Sequence, residues 1–231
     1  IDQAVPHTDA IIAVSQATKM DVIRLLGVPE KKITVIYEAA SPIFRPLNRE
    51  EVAERVRERF GLDSDFLLFV STIEPRKNVP NLLRAFRLLL DNYHPKAKLV
   101  LAGEKGWLFQ DVFELADKLN LREDALFLGR VSTEELLWLY NGARALVAPS
   151  LYEGFGLPPL EAMACGTPVI TSNLSALPEV VGDAGVLVDP KDVDALAVAM
   201  WRILSDEPLR ASLISKGFKR AAVFSWEKAA Q

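Results

Sequence analysis

Residues 145–166 read Ala145-Leu-Val-Ala-Pro149-Ser-Leu-Tyr-Glu153-Gly-Phe-Gly-Leu-Pro-Pro-Leu-Glu161-Ala-Met-Ala-Cys-Gly166. The apolar run Ala145–Pro149 has the length of a buried strand, a glycine-rich turn follows it, and a short helix with Glu161 in its first turn is ended by Gly166. Strand, glycine loop and helix start in succession place Glu153 in the loop and Glu161 in the first helical turn, with free backbone N–H groups between them. Such a turn holds an anion on its amides while two acids face neutral hydroxyls. A sugar joined to a phosphate needs both at once.

The same alternation extends outward. Short apolar runs predict strands at Phe66–Val70, Lys98–Gly103, Ala125–Gly129, Pro168–Thr171 and Gly185–Val188. Helical spacing is found between them, at Pro80–Leu90, Trp107–Leu119, Ser132 or Thr133 to Tyr140, and Pro158–Ala164, then at Val193–Leu204 and Pro208–Phe218. The strands show no polar alternation, as strands buried on both faces should not. The expected fold is therefore α/β, a Rossmann-like parallel sheet with helices on both faces, running from about Asp65 to Phe218. Ligands of such sheets bind beyond the C-terminal strand ends, where the loops after Val70, Gly103, Gly129 and Pro149 lie. The first part of the chain stands apart: Ala10–Val14 and Lys32–Tyr37 read as strands around a helix from Ser15 to Leu26. Residues 1–46 are read as the tail of a preceding domain and its linker, and residues 47–231 as the main domain. Arg49–Arg59 is read as a solvated connecting helix.

Composition bounds the function. The chain has 231 residues, half of them hydrophobic, enough for a sizeable core. A net charge of -4 and a pI near 5.4 argue against nucleic-acid binding, which wants a basic face. No apolar stretch approaches the about 20 residues of a membrane span. The start, Ile1-Asp-Gln-Ala-Val, lacks the features of a signal peptide and an initiating Met, and is read as the beginning of a piece of a longer chain. One cysteine, Cys165, rules out an internal disulfide and fits a reducing, cytoplasmic location. His7 and His94 are too far apart in the sequence to suggest a histidine metal site.

Ser71-Thr-Ile-Glu-Pro-Arg76-Lys77-Asn78 follows the first main strand. Arg76 offers a planar fork for two phosphate oxygens and Lys77 a compact charge. Basic side chains at a helix start oppose its dipole, so a binding role explains them better than decoration. Gly103 and Val131 end two further strands, where backbone groups can meet a base or a diphosphate or simply turn the chain. Asp63-Ser-Asp65 and Asp192-Val-Asp194 have the look of cation pairs, but the first lies at the wrong strand end and the second opens a helix. No metal is expected at either. Cys165 reads as core and His94 as surface.

Together these residues resemble the GT4 family of retaining glycosyltransferases, of GT-B fold, of which this chain would be the C-terminal half. The family's Glu-x7-Glu signature is met by Glu153 and Glu161, and Glu74-Pro-Arg-Lys-Asn78, Phe127-Leu-Gly-Arg-Val131 and Asp9-Ala-Ile-Ile-Ala-Val-Ser15 resemble further landmarks. The resemblance implies that Glu161 bonds the ribose hydroxyls of a nucleotide, and that Glu153 sits by the donor sugar. The amides of Gly154, Phe155, Gly156 and Leu157 would then contact sugar and phosphate, Arg76 and Lys77 neutralise the diphosphate, and Val131 contacts the base. It further implies retention of configuration without metal or other cofactor, by attack on the face that the leaving group vacates rather than by double displacement. Many family members carry Gly-Arg where this chain has Ser71-Thr72, so one cation is either lost or supplied by Arg76. The Glu-Pro-Arg-Lys-Asn variant resembles mannosyl- and rhamnosyltransferases of polysaccharide assembly, which makes GDP-mannose the first donor candidate. Expected partners are a nucleotide-sugar donor, a saccharide or lipid-linked acceptor, and the chain's own N-terminal domain. No nucleic acid or transmembrane segment is expected, and peripheral contact at the inner membrane face is left open. A non-catalytic nucleotide-sugar-binding module and a GT-B-like epimerase are the alternatives.

Overall fold

A computed structural model describes residues 5, 8–107 and 110–230. The chain opens with β1 (Ile11–Ala13), α1 (Gln16–Leu26), β2 (Ile33–Val35) and α2 (Arg49–Phe60). It continues through β3 (Asp65–Val70), α3 (Val79–Tyr93), β4 (Ala97–Ala102), α4 (Gln110–Lys118), β5 (Ala125–Gly129), α5 (Thr133–Gly142) and β6 (Ala145–Ala148). Then come α6 (Leu157–Ala164), β7 (Val169–Ser172), α7 (Leu177–Val181), β8 (Val186–Val188), α8 (Val193–Ser205), α9 (Glu207–Ala221) and α10 (Trp226–Ala229). His7 lies outside the described residues, as do two positions of the helix expected from Trp107.

β3 to β8 form one parallel six-stranded sheet in the order β5-β4-β3-β6-β7-β8, while β1 and β2 pair parallel in a separate small sheet. Successive strand residues serve opposite faces. Leu67, Phe69, Leu99 and Leu101 pack into one core with α3, α4 and α8. Phe66, Leu68, Val100 and Leu146 pack into the other with α2, α5 and α6. Both sides of each central strand are dry, which is why the sequence shows apolar runs rather than alternation. Each such side chain contributes about 1.5–3 kcal/mol by leaving water.

Caps set the helix limits. Ser132 and Glu135 form a capping box at α5, and Asp192 accepts from the Ala195 amide to start α8. Asp65, from the other Asp-x-Asp pair, ion-pairs with Arg144 at 2.8 Å. Three expectations need correction. α2 is not merely a solvated connector: Val52 and Val56 are buried in the second core. Gly156 caps α6, so the helix starts at Leu157 and Glu161 lies in its second turn, not its first. α7 and α10 have no counterpart in the sequence reading; each is only 5 or 4 residues long.

The strand order places the site. The chain steps outward from β3 to β4 and β5, then returns to the other side of β3 to begin β6. β3 and β6 pair only at Leu67–Ala145 and Leu68–Leu146, so their C-terminal halves diverge and open a crevice. This is the switch point of a doubly wound sheet.

Candidate active site

The loops after β3 and β6 meet in that crevice. After β3, a tight turn at Pro75–Lys77 ends on Asn78, whose φ of 58° is left-handed. The buried Asn78 amide donates to the Pro149 carbonyl at 3.1 Å and to that of Pro190 at 2.7 Å. Leu151 N–H donates to the Arg76 carbonyl at 2.8 Å. Arg76 in turn donates to the Tyr152 carbonyl at 2.8 Å. Two segments far apart in sequence are thus tied into one ridge.

Glu153 is the centre of that ridge. One carboxylate oxygen accepts from Lys77 at 2.6 Å and from the Ser150 hydroxyl at 2.7 Å; the other accepts from Arg76 at 2.8 Å. Arg76 also reaches Glu74 at 2.6 Å. Burial acts to lower the Arg76 pKa, but Glu153 and Glu74 outweigh it and hold the guanidinium above its ordinary value. The side chains of Lys77 and Glu153 are 11% and 16% exposed, against 41% for Arg76. Lys77 therefore depends on its counter-charge far more than Arg76 does.

The glycine turn presents its backbone. Gly156 has φ of 127°, and a Cβ there would lie 2.9 Å from Leu177. Phe155 is buried and turns its ring inward, edge-on to Phe224 with centroids 5.6 Å apart. Among the described residues, the amides of Gly154, Phe155, Gly156 and Leu157 donate to no protein acceptor. Those of Gly156 and Leu157 fall at the N-terminal end of α6.

Glu161 is not part of the Arg76–Lys77–Glu153 cluster. One of its oxygens accepts from the Tyr140 hydroxyl at 2.8 Å, and the other has no protein donor among the described residues. Burial raises its pKa, and the Tyr140 hydrogen bond opposes that rise. Gly103 and Val131 line a cleft of about 340 Å³ with Ser71, Thr72, Glu104 and Arg130, beyond the ends of β3, β4 and β5. The Gly103 amide is already engaged by the Gly129 carbonyl at 2.8 Å. Its φ is 152°, and an added Cβ would sit 1.9 Å from the Ser71 carbonyl oxygen. Gly103 thus shapes this cleft by letting two loops touch. A larger groove, about 840 Å³, lies at the opposite end of the strands between α2 and α9, away from the crevice and with Arg144 and Asp65 paired inside it.

The family profile "Glycosyl transferases group 1" matches residues 51–220. The chain belongs to the group 1 glycosyltransferases. O-antigen chain mannosyltransferase B of Escherichia coli is 37% identical over 227 residues, covering 98% of this chain and 60% of that protein. The serotype-specific mannosyltransferase WbdA of Escherichia coli is 33% identical over 227 residues, covering 97% of this chain and 28% of that protein. Among solved structures, sucrose-phosphate synthase from Thermosynechococcus elongatus superimposes with a TM-score of 0.85 at 29% identity, over 99% of this chain and 57% of that one. The chain thus spans 60% or less of the length of these glycosyltransferases. No helix among the described residues is long and apolar enough to cross a membrane.

Several site residues escaped the sequence reading. Ser150, Ser175 and Tyr140 hold Glu153 and Glu161 in place, the Ser175 hydroxyl accepting from the Glu153 amide at 2.9 Å. Ser15 and Thr18 reach the glycine turn from α1. Only Ser150, three residues before Glu153, carried a local signal.

Proposed function

We propose that this chain is the donor-binding half of a retaining mannosyltransferase that uses GDP-mannose. In this reading residues 47–231 hold the nucleotide sugar, and residues 1–46 are the tail of an acceptor-binding domain and its linker. The observation that carries it is the set of unengaged amides at Gly154–Leu157, set beside two cations that share Glu153. A sugar diphosphate is the ligand this chemistry fits: its phosphate oxygens accept the amides, and Arg76 and Lys77 stabilise the charge that grows as the glycosidic bond breaks. Glu153 takes sugar hydroxyls. Glu161 offers its open oxygen to the ribose, and the cleft at Gly103 and Val131 takes the base. No metal is needed, since the cations and amides supply the compensating charge. The acceptor, a saccharide or a lipid-linked glycan, attacks from the face that the diphosphate vacates, and a phosphate oxygen takes its proton. The protein acts in the cytoplasm.

A thermal-shift panel of GDP-mannose, UDP-glucose and ADP-glucose tests this. A ligand at 100 times its Kd adds about 2.7 kcal/mol to stability, about 5–11 °C in Tm for a chain of this size. GDP-mannose should give the largest shift. A larger shift with another sugar nucleotide would reassign the donor, and none with any of them would remove the donor site itself.

A further inference from the structure

The glycine turn is held from outside its own sheet. The Gly154 carbonyl accepts from the Ser15 hydroxyl at 2.7 Å, and the Thr18 hydroxyl lies 3.0 Å from the same oxygen. Both belong to the start of α1, in the β1–α1–β2 unit, 139 and 136 residues away along the chain. Ser15 is fully buried and also caps α1 by accepting from the Thr18 amide at 3.0 Å. The first turn of α1 is itself seated on α7: Glu179 accepts from the Gln16 amide at 2.9 Å, the Ala17 amide at 3.2 Å and the Tyr37 hydroxyl at 2.7 Å.

A peptide unit is planar and trans, so its C=O and N–H point in opposite directions. Holding the Gly154 carbonyl towards α1 therefore aims the Phe155 amide away from α1, out of the turn. The preceding peptide but one is held in the same manner, with Arg76 on the Tyr152 carbonyl and Ser175 on the Glu153 amide. Without such ties a glycine-rich turn samples several peptide orientations, and an amide that must first be reoriented binds its anion less tightly.

We propose that Ser15 and Thr18 are positioning residues for the donor's diphosphate: by fixing the Gly154 carbonyl they aim the Phe155 amide at a phosphate oxygen. This rests on the reading of the turn as the donor site. It couples the seating of α1 to the grip on the leaving group, so the β1–α1–β2 unit contributes to donor binding without touching the donor.

The test is calorimetry on the full chain with GDP and GMP, with UDP and UMP in their place if a uridine sugar is what stabilises the wild type. Thr18→Val is the decisive variant, because it leaves the Ser15 cap intact; Ser15→Ala removes the cap as well and needs its melting temperature checked beside it. Thr18→Val should lower affinity for the diphosphate by about three- to tenfold, the scale of one neutral hydrogen bond. Affinity for the monophosphate should change less than about twofold on the same scale. Thr18→Ser should restore the diphosphate affinity. In ¹⁵N spectra the Phe155 amide shift on adding the diphosphate should shrink in Thr18→Val. Equal losses for the two nucleotides, or no loss, would overturn the positioning role while leaving the donor site standing. A wild type that binds neither would remove the donor site, and this role with it.

Discussion

Replacing Glu153 by glutamine separates its structural from its chemical role. The amide matches the carboxylate in volume but offers one acceptor where there were two. Its NH2 group must face one of the cations now held at 2.6 Å and 2.8 Å. Arg76 can adjust, since it is 41% exposed and keeps Glu74 at 2.6 Å. Lys77, at 11% exposure, cannot. The loss is therefore close to one charged hydrogen bond, about 1.5–3 kcal/mol, below the 3–5 of a fully buried broken pair. Glu153→Gln should melt about 3–12 °C lower than wild type by scanning fluorimetry, at the usual 2–4 °C per kcal/mol for this size. In the proposed donor site the carboxylate competes with phosphate for the same cations, so on that reading GDP affinity should hold or rise in Glu153→Gln. Lys77→Ala should lose it. An unchanged melting temperature would show that the ion pairs contribute nothing to the fold. A fall in GDP affinity as large as that of Lys77→Ala would show that Glu153 does not compete for the cations.

Glu161 has a raised pKa, first through burial. Its folded form binds the proton more tightly than the unfolded chain does, so its contribution to stability is fully present below the ordinary pKa of 4.5 and lost as pH rises through the folded value. Urea unfolding of Glu161→Gln should therefore show a gain over wild type that grows as pH rises above 4.5; a constant difference would contradict the burial effect. Gly103→Ala should cost at least about 2 kcal/mol, through backbone strain and overlap with the Ser71 carbonyl, and denaturation at unchanged midpoint would mean the two loops do not touch. Cys165 is buried, and burial followed by the Glu161 charge pushes its thiol up to about 12. Iodoacetamide at pH 8 should leave it unmodified by mass spectrometry until urea is added, and rapid labelling of the folded chain would refute its burial.

How much was legible in the sequence follows from the range of the forces involved. The four inner strands were readable because burial on both faces leaves short apolar runs, as at Leu67–Phe69 and Leu99–Leu101. The edge strands β5 and β8 are partly exposed but keep short apolar runs. α7 was not, since five residues with Pro178 at the second position are too few to show a helical period. α2 misled because its two buried valines are outnumbered by charges. In the site, Arg76, Lys77 and Glu153 announced themselves as polar residues in loops that follow apolar strands. The offset of Glu161 came from Gly156, whose positive φ lets the helix begin one residue earlier than Pro158 suggested. Ser15, Thr18 and Glu179 were invisible: a serine that caps a helix and a glutamate in a short helix look ordinary until the chain folds them together across 136 to 163 residues.

The crevice and its contents have one origin. A doubly wound sheet must place its first and fourth strands side by side, and here the two share only two paired positions before they part. The first strand's loop brings the cations and the fourth strand's loop brings the acid, so neither half of the sheet holds the cluster alone. Asn78 and Leu151 then hold the loops at one spacing through backbone carbonyls, which do not depend on which charges the loops carry. Side chains at the tips can thereby vary while the frame stays fixed. The amides of the glycine turn belong to that frame rather than to the tips. A change of donor sugar within this family should therefore fall on side chains facing the crevice and leave the Gly154–Gly156 turn unaltered.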